Sequence, residues 1–277
     1  MPETPDWHAS RHLASLYSLP TEGLVLDLLL RIESEIVASL QSRLDHNVAH
    51  ARLQWWREEC ARVAKGTPAH PLTRELVTEF ADMPADVLAG LSGFVDVAVW
   101  DLAAATFETR RELTAYCERW ATALILPAAT HAGASAKDRQ DWLKIGAAMH
   151  EVEMLAQVAS EARAGRLRVP LDELERVGVE PQSLAITPYS PALSGLLSER
   201  HAALRSILVE SVPESSGQPA VRGLLVWVAL TARHSRRAQR ALPETAVPRR
   251  IDALGDAWCA WRAGRSAKAG RFAFDSQ

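Results

Sequence analysis

The chain has 277 residues, 48% of them hydrophobic and 23% charged, which excludes a disordered polypeptide. Its three cysteines, Cys60, Cys117 and Cys259, lie far apart without CxxC spacing, which argues against a disulfide framework or zinc module and for a reducing compartment. Net charge is −3, but ten Lys or Arg against three acids fall between Arg233 and Arg271, leaving +7 there and −10 elsewhere.

Helical periodicity runs through nearly the whole sequence. It opens with a predicted helix over 21–43, which contains the longest apolar stretch, Gly23 to Leu30, interrupted by Asp27 and too short to span a bilayer. The pattern then predicts a helix over 47–65, with Asn47 as N-cap and Gly66 as stop. Pro71 suits the first turn of a short helix over 71–81. After a run over 84–107, Thr109 and Glu112 form a capping-box pattern that starts a helix expected to stop before Pro127. Further helices are predicted over 136–163, 191–211, 218–241 and 248–264. Between them, 164–192 is rich in Gly and Pro and reads as a long connection holding one short helix from Leu171 to Arg176. Nothing alternates like a strand, so one all-α domain over 1–277 is expected. No signal-peptide pattern opens the chain, and the expected location is cytoplasmic.

Few local patterns point to chemistry. There is no GxSxG, P-loop or GxGxxG, so hydrolase and nucleotide-binding readings lack support. His150, Glu151 and Glu153 fan around one predicted helix, and His46 and His50 are an i, i+4 pair; neither makes a recognised metal motif. Cys117 lies on an apolar helix face beside Tyr116 and Trp120, which suits a buried structural thiol. Nine tryptophans are expected chiefly in the core. The Arg-rich tail suits a solvated helix face or an anionic lipid surface, and a nucleic-acid role would require salt-sensitive binding.

Three stretches carry a family likeness. Leu53, Trp55, Trp56, Arg57 and Glu59, followed by His70 and Pro71, resemble the "LxWWRxE…HPxxxAL" segment of squalene/phytoene synthase-like proteins. Asp101-Leu102 and then Glu112, Leu113, Tyr116 and Cys117 resemble that family's "DL…EELxxYC" pair. Gly165-Arg166, Pro170 and Asp172-Glu173-Leu174 are similar to the "GRxYLPxDEL" run that follows its second aspartate motif, with Arg168 where the family has tyrosine. Trp258, Trp261 and Arg262 are similar to the "WRAWR" ending of several bacterial members. The matches keep the family's order across nearly the whole chain.

The resemblance implies an isoprenoid-synthase-like helical bundle around a central cavity. Active relatives hold Mg²⁺ with two acidic clusters so that a diphosphate can leave. Aligned without gaps, the first cluster falls on Val37-Ala38-Ser39-Leu40-Gln41, which has no acid, while the second places Gln157 and Ser160 at acidic positions and keeps only Glu161. Glu33 and Glu35 lie upstream of the first, but on different faces of the helix. The expected protein is therefore a non-catalytic relative with no catalytic residues, metal ligands or cofactor. Glu161 and Arg166 are its candidate ligand-binding residues, and Arg166 also has Glu161 as a natural ion-pair partner. Implied partners are a prenyl or lipid ligand, a protein (as for the complex I assembly factor with a phytoene-synthase-like domain), and a peripheral membrane contact through the basic C-terminal region. The alternative is an active head-to-head prenyltransferase that recruits Mg²⁺ through Glu33, Glu35, Glu153 and Glu161.

Overall fold

The computed structural model describes residues 7–40, 45–80, 82–244 and 253–268. Among them every regular element is helical. The first is α1 (Trp7–Tyr17), which the periodicity does not predict; α2 (Pro20–Val37) follows, closing in a 3-10 turn over Ala38–Leu40. Next come α3 (His46–Ala64), α4 (Pro71–Glu79), α5 (Ala85–Ala89) and α6 (Gly93–Leu102). The centre is built by α7 (Arg110–His131), α8 (Arg139–Ala156) and the short α9 (Val158–Arg163). After α10 (Leu171–Arg176) come α11 (Pro191–Glu210), α12 (Arg222–Ala241) and α13 (Ala253–Lys268). The predicted start over 248–252 and the predicted ends over 41–43 and at residue 81 fall outside the described residues.

Three expectations are corrected. The α7 helix does not stop before Pro127 but runs through it to His131. Leu124 to Ala129 are all buried and α7 packs along α8, so tertiary burial outweighs the lost amide donor. The run over 136–163 is broken at Gln157, which ends α8 and starts α9. The run over 84–107 divides around a 3-10 turn at Gly90–Ser92, followed by Gly93, where an added Cβ would lie 2.2 Å from the Arg119 carbonyl oxygen. Caps also differ. Asp45, not Asn47, caps α3 through its side chain, and Glu112 accepts from the Glu108 amide rather than from Thr109.

Helix α1 is clamped by close backbone approach. A Cβ on Gly223 of α12 would lie 1.9 Å from Ser18 Oγ, and one on Gly264 of α13 would lie 2.5 Å from the Tyr17 ring. These glycines let α12 and α13 close on α1 and fix the direction in which its side chains point.

The tryptophan-rich segment that carries much of the family likeness has a structural task. Glu59 is 0% exposed. Its carboxylate accepts the amides of Ala69 and His70, the Thr73 hydroxyl and the Arg62 guanidinium. It thereby ties the end of α3 to the start of α4, where His70 caps and Pro71 occupies the first turn. Burial opposes ionisation of Glu59, but hydrogen bonds from Thr73, His70, Arg62 and Ala69 outweigh it and hold the carboxyl below its ordinary value. A depressed carboxyl contributes stability above its unfolded pKa and loses it as pH falls through the folded one. Glu59→Gln is therefore expected to cost about 1.5–3 kcal/mol at pH 7. Denaturant titrations should show that deficit shrinking as pH falls below about 4.3.

Candidate functional site

Two adjoining cavities open between α2 and α8, one flanked by α6, α7 and α9 and the other by α1. One, of about 630 Å³, is lined by Asp101, Tyr116, His150, Met154, Glu161 and Arg168, among others. The other, of about 530 Å³, lies against Arg11, Glu33 and Ser34. Val37, Glu153 and Gln157 belong to both walls, so the two form one cleft divided at the kink between α8 and α9.

At the divide an arginine stands between two acids. Arg11 of α1 donates to Glu33 of α2 at 2.8 Å and to Glu153 of α8 at 3.0 Å. Its guanidinium carbon lies 5.9 Å from the Trp120 ring centroid and 5.5 Å from that of Trp227, within cation–π reach of both. The Trp120 indole N–H donates to the second Glu33 oxygen at 2.6 Å. Burial disfavours the Arg11 charge, but Glu153 and Glu33 outweigh it and raise its pKa further. Glu33 is thus the one of the upstream pair that faces the interior, while Glu35 is exposed.

A second closed network lies at the other wall. Gly165, at φ +84, ends α9 in the left-handed conformation, and the Arg166 amide bonds back to the Glu161 carbonyl at 2.9 Å. That turn brings the Arg166 side chain onto Glu161 in a two-pronged pair at 2.7 and 2.8 Å. Arg168 also donates to Glu161, at 2.9 Å, and reaches Asp101 at 2.7 Å, where the Tyr116 hydroxyl donates at 3.0 Å. Burial works against the Glu161 charge, but the hydrogen bond from Arg166 and the charge of Arg168 prevail and hold the carboxyl below its ordinary value. The residue standing in place of the family tyrosine is therefore the cation that ties Glu161 to Asp101.

Between the networks stands His150. Its ring stacks on Trp120, with centroids 4.5 Å apart, and on Tyr116 at 5.6 Å. Both ring nitrogens are shielded from solvent and lack a hydrogen-bond partner, as does Glu153 Oε1. Burial, reinforced by the positive charges of Arg11 and Arg168, holds His150 well below the ordinary imidazole value. Burial likewise raises Glu153, with Arg11 opposing.

These donors do not fit a hard divalent cation. Among the described residues no three His, Cys, Asp or Glu side chains converge closely enough to hold one. Val37 to Leu40, the described part of the first motif's place, offer no carboxylate, and Gln41 lies outside the described residues. His46 and His50 meet at 3.0 Å on the exposed first turn of α3, away from the cleft. Cys117 is buried against Met154, and burial raises its thiol pKa well above the ordinary value. Tryptophans 56, 120, 142 and 227 are core, whereas Trp55, Trp258 and Trp261 are exposed.

The structure brings Glu161 and Arg166 together as one pair. Sequence reasoning did not find Arg11, whose partners lie 22 and 142 positions away. The one local hint in the cleft was Arg168, an arginine where the motif expects an aromatic.

Two solved structures share this architecture. One is a dehydrosqualene synthase in complex with ligand, 15% identical over 94% of this chain and 90% of that one, with a TM-score of 0.77. Another is squalene synthase HpnC from Alicyclobacillus acidocaldarius, 16% identical over 95% of this chain and 94% of that one, with a TM-score of 0.58. No curated protein matches the sequence significantly. The bundle is thus the all-α isoprenoid-synthase fold. Residues 24–254 match the family model for squalene/phytoene synthase, and the chain belongs to that family.

Proposed function

We propose that this family member holds an apolar, isoprenoid-like ligand in its cleft without ionising a prenyl diphosphate. One observation carries the reading: the cleft's carboxylates are already engaged by arginines, Arg11 shared between Glu33 and Glu153, and Arg166 and Arg168 on Glu161 and Asp101. Departure of a diphosphate needs charge compensation at the leaving oxygens. Carboxylates engaged by guanidinium groups have less charge to offer Mg²⁺, and the arginines they engage have less to offer a phosphate. Glu161 and Arg166 then meet the ligand as a closed pair in the wall.

Incubated with farnesyl or geranylgeranyl diphosphate and Mg²⁺, the purified protein is expected to form no condensed product and release no diphosphate. Turnover that disappears in Glu161→Gln would establish an active prenyltransferase instead.

The C-terminal helix supports a membrane surface as the place of work. No helix among the described residues is long and apolar enough to cross a bilayer. One face of α13 buries Ala260, Ala263 and Ala267. Leu254, Trp258 and Trp261, spaced i, i+4, i+7, are 86%, 59% and 41% exposed. Arg265 lies over the Trp261 ring at 5.0 Å, and Lys268 follows one turn on. Exposed indoles beside cationic groups match an anionic interface. Co-sedimentation with vesicles should show binding to phosphatidylserine-containing membranes and at least about fivefold less to neutral ones, given about 1 kcal/mol per basic residue at the surface. Replacing Trp258 and Trp261 by serine should abolish it; equal, negligible binding to both vesicles removes the membrane from the proposal.

A further inference from the structure

Away from the cleft, the last turns of α12 carry a row of arginines on their outer face. Arg233, Arg236, Arg237 and Arg240 follow at i, i+3, i+4 and i+7, so they share one side of the helix, and none of them is buried. Arg205 of α11 joins them from the side. It donates to Ser235 at 3.3 Å and to Gln239 at 2.5 Å, and the Gln239 amide is itself held on the Ser198 hydroxyl at 2.7 Å. Arg233 is paired with Asp256, but among the described residues no acid lies within ion-pair distance of Arg205 or Arg240. Burial lowers the Arg205 pKa, and the charges of Arg236 and Arg240 lower it further. The fold thus holds like charges together at a cost that a bound anion recovers.

This row adjoins the exposed indoles. Helix α13 packs along α12, and Cys259, next to Trp258, lies near Arg233, Arg236 and Arg262.

We infer that the arginine face between α11 and α12 binds the phosphomonoester head group of an anionic lipid, while Trp258 and Trp261 enter the same interface. The inference rests on the proposed membrane contact of α13 and adds the chemistry of the head group. A guanidinium presents paired N–H donors that match two oxygens of one phosphate, a geometry that a diffuse negative surface does not use. A phosphomonoester offers three such oxygens and a charge of roughly −1.5 to −2, so more than one arginine can share it. The phosphate of phosphatidylserine is esterified on both sides, and its second anion is a carboxylate beside an ammonium group. Arg205 and Arg240 carry the inference, since their guanidinium groups have no carboxylate among the described residues.

The test is co-sedimentation of the full chain with phosphatidylcholine vesicles that carry phosphatidic acid or phosphatidylserine at matched total charge. Phosphatidic acid vesicles are expected to bind at least about fivefold more tightly, the size of one added charge-assisted hydrogen bond. Changing Arg205 and Arg240 together to lysine keeps the charge and removes the paired donors, so it should bring the two affinities level and leave phosphatidylserine binding in place. Equal binding of the wild type to both charged vesicles overturns the head-group site and leaves the membrane contact standing. Binding to neither overturns both. A preference that survives in the lysine variant overturns the assignment to these arginines. Calorimetry with inorganic phosphate and with a single-stranded oligonucleotide completes the comparison. Either one binding as tightly as the phosphatidic acid vesicles gives the face to a soluble anion or a nucleic acid and overturns the lipid. The wild-type comparisons decide the matter even where the variant does not fold.

Discussion

Replacing Arg11 by methionine is expected to cost the fold about 3–5 kcal/mol, the usual penalty for removing one partner of a buried ion pair. Arg11 is inside, bridges Glu33 and Glu153, and stands over two indole rings. Without it two carboxylates face each other with no counter-charge between them. The deficit should also depend on pH. Burial already raises the Glu153 pKa against the pull of Arg11, and losing Arg11 raises it further. A carboxyl raised in the folded state contributes stability that is complete below its unfolded pKa of about 4.3 and lost as pH rises through the folded value. Urea titrations should thus find Arg11→Met closest to wild type at pH 4 and furthest from it at pH 8. Adding Glu153→Met to that variant should recover most of the loss, since a hydrophobic pair of similar volume leaves no charge stranded.

Trp120→Ala should be as severe, about 3–5 kcal/mol, because the indole is 1% exposed and its loss opens a cavity at the centre of α7. Trp120→Phe separates packing from polarity. The ring stack on His150 survives, while Glu33 loses the N–H bonded at 2.6 Å, a cost of about 1–3 kcal/mol. Since Arg11 and Trp120 donate to the two oxygens of the same carboxylate, their variants should not add. A double-mutant cycle of Arg11→Met with Trp120→Phe is expected to show a coupling of about 0.5–3 kcal/mol, and strict additivity would remove the shared role of Glu33.

Much of the bundle was legible because its helices carry their own start signals and apolar stripes. Pro71, Pro191 and the stretch from Leu171 to Arg176 are read correctly from local chemistry alone. What was not legible depends on distant parts of the chain. The α1 helix has 11 residues, short enough to be marginal on its own, and is held by the glycines of α12 and α13. Pro127 looks like a terminator until the burial of the residues around it is known. In the cleft, the pairing of Arg166 with Glu161 follows from five residues of separation and a glycine turn, so sequence could anticipate it. The junction of Arg11, Glu33 and Glu153 joins three helices, and no spacing announces it.

The α1 helix lies before the family-matched residues 24–254, yet it delivers the charge that closes the acidic part of the cleft. A dissolved cation is present at whatever activity the surroundings set and can be exchanged or withdrawn. A guanidinium on a covalently attached helix is present at an effective concentration of order millimolar or more, fixed by the length of the chain. The positive charge beside Glu33 and Glu153 is therefore encoded in the polypeptide itself.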